Sequence, residues 1–161
     1  MKTRNASASA TTTKPVEVQL TVTKFKEVLA PGKTGSCTGY TMKLGRRDPR
    51  AYIKGDDLYI KSPGAVIRFT MTSSADKKNY YPLGIAFVRE NGRSETDAQR
   101  LGFLNFPQSE TRPKGRTLSI TDTYKDRSQR VRFKFSVIIQ RGSDGAIGII
   151  DPGIVHEPSG H

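Results

Sequence analysis

Residues 130–142 read RVRFKFSVIIQRG, and their side chains alternate without a break. Val131, Phe133, Phe135, Val137 and Ile139 fall on one side; Arg130, Arg132, Lys134 and Ser136 fall on the other. A period of two marks a β-strand with one face on a core and one in water. A turn at Gly142-Ser143-Asp144-Gly145 and a second apolar run, residues 147–150, complete a hairpin. The chain then leaves through Asp151-Pro152-Gly153-Ile154-Val155-His156-Glu157-Pro158, read as an extended exit.

How much of the chain joins the core begun by this hairpin is a question of composition. Only 34% of the 161 residues are hydrophobic, with no tryptophan. That is less apolar material than a globular domain usually carries. Residues 1–14 are rich in Ser, Thr and Ala and cannot bury enough surface to offset the entropy of ordering. They are expected to be a disordered lead, residues 15–158 a single β domain, and residues 159–161 a loose tail.

The rest of the chain repeats the rhythm of short strands. Val16, Val18, Leu20 and Val22 alternate with Glu17, Gln19, Thr21 and Thr23 after Pro15, a first strand of β-branched residues. Residues 40–44, 58–60 and 65–71 read as further strands; in the last, either Ile67, Phe69 and Met71 share one face or Val66 joins that face across a bulge, and the sequence does not fix the register. Ser62-Pro63-Gly64 is a turn in which Pro pre-sets φ and Gly takes the positive-φ position. Residues 83–88 read as a buried strand, its start demoted by Pro82, and Asn91-Gly92 as a turn. Residues 102–106 form a short apolar piece, 108–115 a loop, and Leu118 and Ile120 alternate within another strand. Seven to nine short strands with no long helix and no βαβ signal predict a β-sandwich or small barrel.

The C-terminal third carries a sharper pattern. A Leu-x-Ile-x-Asp strand (Leu118, Ile120, Asp122) precedes a charged loop, the alternating aromatic strand, a Gly/Asp turn, and then Ile149-Ile150-Asp151-Pro152-Gly153-Ile154-Val155-His156-Glu157-Pro158. This order resembles the small bacterial DP-EP family, whose Asp-Pro and Glu-Pro pairs would be Asp151-Pro152 and Glu157-Pro158. The resemblance implies a single immunoglobulin-like antiparallel β-sandwich. It implies no activity. Read from the residues alone, both prolines suit an edge or an exit, and Asp151 and Glu157 are structural or, in the sharper version, a carboxylate pair for a cation or for acid/base work.

Charge offers the only strong functional signal. Lys and Arg outnumber Asp and Glu by 27 to 15, a formal charge of +12, which suits an acidic partner such as nucleic acid, or merely solubility. Two clusters concentrate it: Arg46, Arg47 and Arg50 in one loop, and Arg127, Arg130, Arg132 and Lys134 near the aromatic strand. Alternation spaces Arg130, Arg132 and Lys134 about 7 Å apart along one face, a row that can meet successive phosphates or simply blunt an edge strand. Phe133 and Phe135 point the other way, and nothing in the sequence sets Tyr40, Tyr52, Tyr59, Tyr80 or Tyr81 beside the arginines.

Catalytic and metal signatures are missing from the sequence. Cys37 has no partner for a disulfide or a metal site, and His156 and His161 both fall near the C-terminus. There is no phosphate-cradling glycine loop and no nucleophile signature. No stretch approaches the ~20 apolar residues of a membrane span, and the start lacks a signal-peptide h-region, so a cytoplasmic location is expected. The expectation is a non-enzymatic binding or assembly module without cofactor, whose partner is an unknown protein, itself or a polyanion. The alternative is a basic nucleic-acid-binding protein, possibly coat-like.

Overall fold

A computed structural model of the chain describes residues 14–28, 38–62, 64–72, 77–88, 109–111, 115–123 and 130–158. Residues 1–13 of the expected lead, the tail, the Asn91-Gly92 turn, the apolar piece at 102–106, Cys37, Arg127 and His161 lie outside those residues, while Lys14 lies within them. Among the described residues there are eleven strands: β1 (Val16–Lys24), β2 (Gly39–Leu44), β3 (Ala51–Lys54), β4 (Asp57–Ile60), β5 (Val66–Met71), β6 (Tyr80–Val88), β7 (Ser109–Thr111), β8 (Thr117–Thr121), β9 (Val131–Arg141), β10 (Ile147–Ile150) and β11 (Gly153–His156).

They form two mixed sheets in a sandwich-like arrangement. The first runs β2-β1-β5-β8-β7; the second runs β10-β9-β11-β4-β3, with β6 also paired to β9. The inward residues follow the alternation read from the sequence. Val16, Val18, Leu20 and Val22 from β1, Ile67, Phe69 and Met71 from β5, and Phe133, Phe135, Val137 and Ile139 from β9 are all buried in one cluster. Phe69 of the first sheet meets Phe135 of the second at 5.6 Å between ring centroids. A polar contact crosses the same interior: His156 Nε2 lies 2.8 Å from Asp122 Oδ2, both side chains fully buried. Asp122 continues the inward face of Leu118 and Ile120, and the edge of the His156 ring packs on Phe133.

The segment after the hairpin is not a loose exit. Ile150 pairs with Val137 and Gly153 with Lys134, so the antiparallel register against β9 runs unbroken through Asp151 and Pro152. Pro152 is buried within that ladder, where its carbonyl accepts the Phe135 N–H at 3.3 Å. It has no N–H to return, so the ladder loses one bond without losing its register. Beyond it, β11 is hydrogen-bonded on both edges, antiparallel to β9 and parallel to β4, and all four of its residues are buried.

Other expectations need correction. Two strand pairs are parallel, β1 with β5 and β4 with β11, so the sheets are not purely antiparallel. Their partners are far apart in sequence, and such crossovers leave no local signal. The strand count exceeds seven to nine. One reason is that β3 and β4 form a hairpin around Gly55 and Asp56, with Gly55 at φ 62°. Another is that 109–111 is a strand rather than loop. Strand β6 starts before Pro82, with a register shift between Pro82 and Gly84 that takes up the missing donor. Nor is it buried throughout: Leu83 is exposed.

Residues 25–28 and Thr38 cover the outer edge of β10. The Val28 and Thr38 N–H groups donate to the Ile147 and Ile149 carbonyls. The cover seats directly on Gly148, where a Cβ would collide with Thr38 Oγ1 and the Phe25 ring. Gly148→Val is therefore expected to lower stability by about 1–3 kcal/mol through overpacking. Gly84→Ala, with open space around it, is expected to be close to neutral. Removing one partner of the buried pair, as in Asp122→Ala, is expected to cost at least about 1–3 kcal/mol. Urea denaturation of the variants measures each of these.

Candidate functional site

Cross-strand register decides which side chains share the outer face of the second sheet. Leu58, Ile60, Ile154, His156 and Phe133 point inward. Their neighbours therefore point out, and pairing sets them in rows across the sheet. One row reads Arg132, Val155, Tyr59, Tyr52 from β9 through β11 and β4 to β3. The next reads Lys134, Gly153, Asp57, Lys54. Arg130 and Glu157 lie just beyond the first row.

The arginines are held by carboxylates of this same face. Arg132 donates to Asp57 Oδ1 from Nη2 at 2.8 Å and from Nε at 3.2 Å, while Arg130 lies 3.5 Å from Glu157 Oε1. Gly153 makes the first contact possible: a Cβ there would collide with the Asp57 carboxylate and crowd Arg132 Nε. Both arginines keep solvent access, with side chains 39% and 63% exposed for Arg132 and Arg130. Solvent-accessible pairs of this kind contribute only about 0–1 kcal/mol.

Aromatic rings stand beside these cations. Tyr52 and Tyr59 stack at 4.6 Å with their planes 13° apart. Arg130 lies 5.9 Å from the Tyr59 centroid and Lys61 Nζ 5.2 Å from that of Tyr52, so a cation flanks each end of the stack. The Tyr52 hydroxyl donates to Glu157 Oε1 at 2.6 Å. That hydrogen bond, with desolvation and the carboxylate charge, pushes the phenol up to about 12. In sequence the two tyrosines are far from the arginines, and only the register brings them together. The one local clue was Gly55-Asp56, a two-residue hairpin loop that sets Tyr52 opposite Tyr59.

The other predicted residues divide between locations. Arg50 is committed to Asp48, with Nε–Oδ1 at 2.9 Å and Nη2–Oδ2 at 2.7 Å, and it also donates to the Lys14 carbonyl. The Arg50 hydrogen bond holds the Asp48 carboxyl below its usual range. Arg46 belongs to the first sheet, where it lines a shallow groove of about 210 Å³ with Glu17, Gln19 and Thr70. Arg47 is exposed in the same loop. Arg50 precedes β3 and its carbonyl accepts the Lys61 N–H, so it borders the outer face of the second sheet, whereas Arg46 and Arg47 stay in the loop after β2. Of the residues behind the Asp-Pro and Glu-Pro resemblance, Asp151 accepts the Ser136 hydroxyl at 2.5 Å, Glu157 joins Tyr52 and Arg130, Pro152 is buried and Pro158 is exposed. Asp151 and Glu157 thus have separate partners rather than forming a pair. Among the described residues no group of three or more His, Cys, Asp or Glu could hold a metal, and no helix is long and apolar enough to cross a membrane.

No protein-family model matches the chain, and no curated protein matches it.

Two titrations check the electrostatics of the fold. Asp144 is held at about 2 by its hydrogen bond to Arg141, helped by the Ala146 N–H. Its folded value lies below the ordinary 3.8, so its contribution to stability is present above that pH and lost as the pH falls through about 2. Asp144→Asn is expected to flatten that part of an acid-denaturation profile. Tyr52 behaves oppositely: its folded value is raised, so its contribution is present below 10.0 and lost as the pH rises through about 12. In a tyrosinate absorbance titration, Glu157→Gln is expected to move one late-titrating phenol back towards 10.0.

Proposed function

We propose that this chain is a non-enzymatic β-sandwich binding module, immunoglobulin-like in type, that takes a polyanion on the outer face of its second sheet. The observation that carries the reading is the row of Arg130, just before β9, with Arg132 and Lys134 on it, outward by the same alternation that buries Phe133, Phe135 and Val137. Strand geometry spaces such residues about 7 Å apart, a separation suited to successive anionic groups along an extended polymer. Lys54 and Lys61 extend the positive field across the sheet. Arginine in this setting gives paired, charge-assisted hydrogen bonds to phosphate or sulfate.

The carboxylates support the reading by the way they are placed. Asp57 and Glu157 hold the guanidiniums extended over the sheet, which lowers the entropy an incoming anion must remove. The excess of 27 basic over 15 acidic residues adds long-range attraction. Of the two pairs that carry the DP-EP resemblance, Glu157 is a member of the face, and Pro152 lies in the link between β10 and β11. A cytoplasmic location remains part of the proposal.

Salt dependence tests this directly. Heparin and oligothymidylate are expected to bind with affinities that fall steeply with salt. Arg130→Ala and Arg132→Ala are each expected to reduce the slope of log affinity on log salt by just under one. Asp57→Asn, which removes the competing carboxylate, is expected to tighten binding. Binding that ignores salt, or an unchanged affinity in both arginine variants, would sink the proposal.

A further inference from the structure

The proposed polyanion face holds something that charge alone does not require: two tyrosine rings stacked on the outside of the sheet. We infer that its ligand is single-stranded nucleic acid, whose phosphates run along β9 while a base stacks on the Tyr59–Tyr52 block. This rests on the polyanion reading and narrows it.

The geometry provides both halves of a nucleotide site. Tyr59 stands two strands from Arg132, about 9–10 Å at normal strand spacing. Between them β11 contributes Gly153 and Val155, and Val155 is buried beneath the neighbouring side chains. A nucleotide spans that interval from phosphate to base, with arginine side chains reaching in from one side. The rings are fixed in advance. Tyr52 is tied by its hydroxyl to Glu157, and Tyr59 is stacked on Tyr52 with planes 13° apart. The Arg130 guanidinium lies 5.9 Å from the Tyr59 centroid, on a side chain 63% exposed. A base that takes the place of Arg130 on the ring leaves the guanidinium free for the adjoining phosphate.

Other sources of anionic charge lack one of these features. A sulfated polysaccharide offers charge but no flat π-surface. A DNA duplex keeps its base faces stacked inside and presents phosphates and base edges, with no free π-surface. Sequence-tolerant single-strand binders combine a cationic track with aromatic platforms, and each stacked base contributes measurably to affinity.

The test compares labelled oligothymidylate, the matching duplex and heparin on the full chain, with Tyr59→Leu and Tyr59→Phe. Tyr59→Leu is expected to weaken oligothymidylate about tenfold or more and leave heparin unchanged, while Tyr59→Phe keeps the affinity. The chain has six tyrosines and no tryptophan, so its own tyrosine fluorescence gives a readout that needs no variant. Oligothymidylate is expected to quench it and heparin is not. Equal losses on both ligands, no quenching by oligothymidylate, or a preference for the duplex would overturn the single-strand inference while leaving a polyanion face in place. Absence of binding to all three would remove the face itself.

Discussion

Strand β9 is hydrogen-bonded along both edges, and the second sheet depends on that. One edge pairs with β6 from Arg141 to Lys134. The other is shared end to end by β10 and β11, in one continuous register. A strand held on both sides has its side-chain orientation fixed, because slipping by one residue would exchange its faces. For β9 that exchange would put phenylalanine in water and arginine in the core. The same constraint therefore sets the buried Phe133 and Phe135 and the exposed Arg132 and Lys134.

The continuity through Asp151 and Pro152 carries the constraint into the candidate site. Because the register survives the proline, Gly153 falls between Lys134 and Asp57, and Val155 between Arg132 and Tyr59. Gly153 has a steric role there, leaving room for the Arg132–Asp57 contact. On the opposite side of β11, His156 reaches Asp122 beyond β8 and joins the two sheets by a polar contact inside an apolar core. One four-residue strand thus contributes both to the closure of the sandwich and to the floor of the outer face. The buried pair is a fold element. Both of its side chains are fully enclosed, so it offers no surface to a ligand.

The outer face is a balance of opposed charges. Arg130 and Arg132 face Glu157 and Asp57 over the rings of Tyr59 and Tyr52, with Lys61 at the far end. Solvent screens these contacts, so they orient the side chains more than they stabilise the fold. Orientation without strong commitment is the property a binding surface needs. Arg50 differs: Asp48 holds it by two hydrogen bonds, and it serves the start of β3.

The sequence by itself determined the strands with clean alternation and the direction each one faces. The β1 and β8 patterns bury the residues expected, and β9 buries Phe133, Phe135, Val137 and Ile139, because a period of two is a local property of the chain; Val131 is half-buried, Ser136 is buried rather than in water, and only the structure set Ile67, Phe69 and Met71 of β5 inward. It also located the basic row on β9. Only the tertiary structure decided that the last strand is interior, that two pairs are parallel, and that Pro82 lies inside β6. Each depends on which distant strand supplies or accepts a hydrogen bond. The tyrosine pair beside the arginines was illegible for the same reason. Tyr59 and Arg132 become neighbours through Val155, and that adjacency is created by long-range register, which no local pattern encodes.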